Sequence, residues 1–96
     1  MAETDITSLN HVFRALADET RRRVWLALGE TPGATTAQLT ARFPRLSRWS
    51  VMKHLAVMRD AGLVQTLPQG RARRHYRDER ALAPIGDWLE DASSNG

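Results

Sequence analysis

Between residues 42 and 77 the chain carries nine basic side chains, Arg42, Arg45, Arg48, Lys53, Arg59, Arg71, Arg73, Arg74 and Arg77, against a single acid, Asp60. The flanks run the other way: residues 1–41 hold four arginines and five acids, and residues 78–96 hold one arginine and five acids. Fixed cations gathered on one segment form the electrostatic footprint of a polyanion-binding face. A solvated basic surface rich in arginine has the same composition, so charge alone leaves both readings open. The string "SRWSVMKHLAVMRDAGLV", residues 47–64, sharpens the choice, because Trp49 and Lys53 fall where its helical rhythm predicts solvent.

These side chains need elements to hold them. Leu9, Val12, Phe13 and Leu16 mark a first amphipathic helix at i, i+3, i+4 and i+7. Asp18 is placed to cap a second, "ETRRRVWLAL", in which Glu19 suits the positive helix end and Val24, Trp25 and Leu28 form the buried side. That helix should stop near Gly29, in the turn-rich "GETPGA". Thr35 with Gln38 three residues later makes a capping box for a third helix, which Pro44 ends.

Ser47 begins the fourth helix. With Val51 at the centre of its buried face, Leu55 and Met58 stack behind it, while Trp49, Lys53 and Ala56 lie opposite at about 100° per residue. Gly62 closes it. Two helices joined by the tight "FPRL" make a helix-turn-helix, whose second helix presents its N-terminal residues to base edges in the major groove. The competing reading is an ordinary amphipathic helix with one stray surface tryptophan. Next come "LVQTL" and "RARRHYR", two strands joined through "PQG", with Gly70 free to adopt positive φ. Arg71, Arg73 and Arg74 crowd this hairpin, as an anionic partner or a charged edge that discourages aggregation would each explain. The fold expected is mostly α with a small β-hairpin, a winged helix-turn-helix.

Composition excludes several alternatives. At 96 residues and 42% hydrophobic the chain can build one modest core, so a single domain over 1–96 is expected, frayed at about 1–6 and 92–96. No run approaches the roughly 18 apolar residues of a membrane helix, and the acidic "MAETDIT" does not read as a signal peptide, so a cytoplasmic protein with no membrane partner is expected. The absence of cysteine removes disulfides, thiolate metal sites and a cysteine nucleophile. No Gly-rich phosphate loop, paired-carboxylate face or Ser-His-acid grouping is present, so neither an enzyme nor a cofactor is expected.

Three pieces, "FRALADETRRRVWLAL", "SVMKHLAVMRDAGLV" and "QGRARRHYR", together resemble the ArsR/SmtB family of prokaryotic winged-helix transcription regulators over about residues 9–90. The first is similar to the family's "ALADPTRRRIL", with Glu19 at a frequent proline. The second is similar to "VSxHLxxLxxAGLV", with Met52 at the common serine, and "SRWSVMKHL" resembles a branch without the family's metal sites. The resemblance implies a homodimer through the first and last helices, with Leu9, Val12 and Phe13 contributing. The sequence agrees in placing Leu82, Ile85, Trp88 and Leu89 after Tyr76 in "DERALAPIGDWLEDA". Pro84 there predicts a short turn at 79–82 and a main helix from about Pro84.

The family's thiolate pattern "ELCxCDL" aligns with Gln38 to Arg42, which contain no thiol, and its second metal site needs histidine after His75, where none occurs. His11, His54 and His75 lack partners at i+3 or i+4, so no metal is expected and each reads as structural. The function expected is a sequence-specific, dimeric, DNA-binding transcription repressor on a double-stranded operator, with an unknown effector or partner protein. Arg48 and Lys53 would meet base or phosphate and Trp49 thymine methyls; Ser47, Ser50 and Met52 complete the helix contacts, and Arg71, Arg73 and Arg74 serve the wing. The alternative is a winged helix used as a protein-interaction module, with Trp49 as its anchor.

Overall fold

Asp18 separates the first two helices, α1 (Ile6–Leu16) and α2 (Glu19–Glu30), in the computed structural model, which describes residues 6–94. In an extended conformation it accepts the backbone N–H of Arg21 at 3.0 Å. That bond, helped by the Arg21 guanidinium, holds its carboxyl below the usual carboxylate range. The arginine run that follows is spent on structure. Arg21 Nε donates to the carbonyl of Ala15 at 2.7 Å and Arg22 Nη1 to that of Leu16 at 2.6 Å, satisfying the last carbonyls of α1. Arg23 pairs with Glu19 one turn back.

The core lies where α2, α3 (Thr36–Arg42) and α4 (Arg48–Asp60) meet: Val24, Trp25 and Leu28 pack with Leu39, Val51, Leu55 and Met58, and Leu63 and Val64 close one side. Trp25 donates its indole N–H to the Leu63 carbonyl at 3.0 Å, so its large apolar surface is buried without an orphaned donor. The expected Thr35–Gln38 capping box is formed at α3. α4 ends at Gly62, whose φ of +77° allows Gly62 N–H to bond Arg59 O and Leu63 N–H to bond Met58 O, both at 2.9 Å.

The sheet has three strands, one more than the expected hairpin: β1 (Ala34–Thr35), β2 (Val64–Gln69) and β3 (Ala72–Arg77), antiparallel in the order β1-β3-β2. β1 hides in the sequence because Thr35 does two things. An N-cap residue is extended, here φ −79° and ψ 164°, and that backbone also pairs with Arg74 of β3. The hairpin turn is tighter than "PQG": Pro68 belongs to β2, tolerated because β2 is an edge strand, and only Gly70 and Arg71 connect the strands. A 3₁₀ turn at Glu79–Leu82 leads into α5 (Ala83–Ser94), as Pro84 predicts. Ile6 and residues 92–94, expected to fray, are helical; the rest of the expected frayed ends lies outside the described residues.

Candidate nucleic-acid interface

Ser47 fixes the start of α4 by accepting the Ser50 N–H on its hydroxyl at 3.0 Å. Val51, Leu55 and Met58 are buried, which turns Trp49 and Met52 outward at 66% and 50% exposure. Lys53, one turn after Trp49, holds its ammonium 4.3 Å from the indole centroid. His54 is internal support, its Nδ1 3.4 Å from Arg21 Nη1.

A groove runs between this face and the hairpin. Arg48 and Met52 on α4 face Arg71 and Arg73 across one stretch of it, with the start of α3 as its floor. Trp49, Lys53 and Arg59 line the next stretch, and Arg73 borders both. Strand alternation separates the wing arginines. Arg73 shares the groove with α4, whereas Arg74, the next residue, hydrogen-bonds Gly33 O at 3.0 Å and Gln69 Oε1, tying the hairpin to the segment before β1.

His75 lies beneath the groove, 1% exposed, with Nε2 2.8 Å from Thr36 Oγ1 and Nδ1 2.8 Å from Thr66 Oγ1. Arg59 Nη1 donates to the same Thr66 hydroxyl at 3.3 Å. A neutral imidazole donates from one nitrogen and accepts on the other, so it satisfies both hydroxyls. Burial first, then the positive charges of Arg59 and Arg73, pushes its pKa down to about 4. The result is an uncharged link joining α3, β2 and β3 next to a basic surface.

The residues expected at a dimer interface divide into two groups. Val12, at 1% exposure, and Leu9 are buried in the chain's own packing and have little surface left for a partner. They lie on the inner side of α1 because that stripe also faces the core. Leu82 and Ile85 are half-buried against the core. Phe13, Trp88 and Leu89 remain exposed, Phe13 meeting Trp88 edge-on with ring centroids 5.9 Å apart.

A helix-turn-helix domain family matches residues 16–66. The crystal structure of an ArsR family transcriptional regulator superposes with a TM-score of 0.86 at 33% identity, covering 98% of this chain and 94% of that one. The chain belongs to the ArsR/SmtB family. An ArsR-like transcriptional regulator from Rhodococcus sp. RHA1 is 31% identical with a TM-score of 0.82, over 94% of this chain and 83% of its own. The uncharacterized HTH-type transcriptional regulator YuzN of Bacillus subtilis (strain 168) is 37% identical over 85 residues, 82% of this chain and 92% of YuzN. Membership makes the protein a DNA-binding transcription regulator of winged-helix fold, in a family of regulators rather than enzymes.

The chain is also similar to the cadmium metal-sensor CMTR from Mycobacterium tuberculosis, 35% identical over 82% of this chain and 80% of its own, with a TM-score of 0.63. Among the described residues here, no three His, Cys, Asp or Glu side chains are grouped to hold a metal ion. Both nitrogens of His75 are engaged, and His54 Nδ1 faces Arg21. Arg59, part of the basic segment, also lines the groove, a place signalled by its position seven residues after Met52 on the same helical face. The Thr36–His75–Thr66 link has no such signal, because residues on three different elements leave no periodic pattern.

Proposed function

We propose that the protein is a dimeric repressor acting in the cytoplasm, which sets α4 in the major groove and Arg71 and Arg73 of the wing on the adjoining backbone. The observation that carries this reading is the shared groove: Arg48 and Met52 on the helix and Arg71 and Arg73 on the hairpin line one concavity, so cations from two elements meet the same polyanion. Dimerisation is supported by the uncovered Phe13, Trp88 and Leu89, and two half-sites bound together gain from effective concentration. Among the described residues no helix is long and apolar enough to cross a membrane.

Selection of bound genomic fragments would yield the operator. On that operator and on random duplex, Lys53→Ala should weaken specific binding more if Lys53 reads a base. If it meets phosphate alone, both should weaken about equally and the salt slope should fall by about one. Arg73→Ala should likewise lower the slope by about one, whereas Arg74→Ala, whose guanidinium is held by Gly33 and Gln69, should leave it unchanged. Unaltered binding of the Lys53 and Arg73 variants to every duplex would leave a protein-interaction module as the answer.

A further inference from the structure

The exposed centre of α4 has an unusual chemistry for a surface that reads base edges. Sequence is read in the major groove by paired donors and acceptors or by apolar contact with the C5-methyl of thymine. The α4 arginines, which could make paired bonds, stand at its two ends: Arg48 opposite Arg71 and Arg73, and Arg59 already donating to Thr66. His54 faces Arg21, and Asp60 lies in a separate hollow with His11 and Arg14. Ser50 offers a single hydroxyl, which bonds many partners without choosing among them.

What remains between the two arginines is Trp49 and Met52, three residues apart on one face and both at least half exposed. Lys53 leans its ammonium over the Trp49 ring, 4.3 Å from the centroid, which draws it back from the groove floor. It supplies positive charge beside the indole while the ring edge and the Met52 thioether stay uncovered. A thioether is polarizable and unbranched, so it can follow the contour of a groove floor that carries methyl groups.

We infer that Trp49 and Met52 give the operator its specificity by reading pyrimidine C5-methyl groups, so that methylated pyrimidines, thymine or 5-methylcytosine, are preferred at the central positions of each half-site over the same bases without the methyl. This rests on the proposed placement of α4 in the major groove and names what the helix recognises there. Burying a methyl is worth a factor of about four, so two in one half-site give roughly fifteenfold.

The test uses the full chain and its selected operator in four forms: native, with deoxyuridine replacing the two central thymines of one half-site, and with one central thymine replaced by cytosine or by 5-methylcytosine. Deoxyuridine should weaken binding about fifteenfold, and 5-methylcytosine should be bound about fourfold better than cytosine at the same position. For the Trp49→Ala, Met52→Ala double variant both ratios should fall below about twofold, which separates methyl contact from any change in duplex shape. Equal affinity of the native chain for thymine and uracil forms would overturn the inference and leave the major-groove placement standing. Failure to select any DNA would overturn that placement and this inference with it.

Discussion

Helices α4 and α5 both turn a tryptophan outward, Trp49 at 66% exposure and Trp88 at 46%, yet they are held in different ways. α4 is anchored by Val51, Leu55 and Met58, capped at its start by Ser47 and closed by Gly62. α5 contains no buried residue; Ile85 packs at the margin of the core and Trp88 touches Phe13 edge-on. An exposed aromatic on a fully anchored helix costs the fold nothing to keep and is free to serve a ligand. Exposed apolar groups on a helix with little cover of its own, Trp88 and Leu89, form the surface that the proposed dimer would cover.

The same truncation on the two helices should give the widest separation. Leu55→Ala opens a cavity in a closed core and should cost about 2–5 kcal/mol of unfolding free energy. Leu89→Ala, in denaturant titrations dilute enough to keep the chain monomeric, should change it by less than about 0.5 kcal/mol. Similar losses at the two positions would show that α5 is as firmly anchored as α4.

Acid separates the two regions by another route. The folded state keeps His75 neutral down to about pH 4, whereas the unfolded chain takes up its proton near the ordinary value of 6.5. Stability should therefore be level above pH 6.5, fall as pH drops toward 4, and level again below, a loss of about 3 kcal/mol from this group. Subtracting the pH profile of His75→Gln isolates it. The loss should appear in hydrogen exchange of β3 and α3, not in the association of α1 and α5.

Leu89→Arg places a charge in the exposed patch. It should yield a folded monomer by sedimentation and weaken operator binding about a hundredfold through the lost second half-site. A variant that remains dimeric puts the interface on another surface. The smallest expected effect concerns metals: micromolar zinc or nickel should leave operator affinity within about threefold. A tenfold change removed by replacing His11 would reveal ligands assembled between subunits.

Caps and periodicity made most of the fold legible. Asp18, Thr35 and Ser47 each begin a helix by a local bond, and the Val51–Leu55–Met58 stripe is buried as its spacing requires. Chemistry that joins distant residues was not legible. The two residues of β1 are too few for a strand signal, and the bonds from His75 to Thr36 and Thr66 depend on the sheet register that β1, β2 and β3 set together. The arginines show the same limit: sequence placed Arg73 and Arg74 side by side, and only strand alternation sends one to the groove and the other to Gly33.

Thr35 pairs with Arg74 in the sheet while its hydroxyl and amide close the capping box with Gln38. Swinging the hairpin away from α3 would therefore break the pairing of a residue whose extended backbone the helix cap already holds ready for the sheet. In the proposed complex, helix and hairpin would approach a duplex as a jaw of fixed gape, its ordering entropy already lost in folding rather than on contact. Docking then has no slow arm-closing step, and association should proceed in one kinetic phase whose rate climbs as salt is lowered.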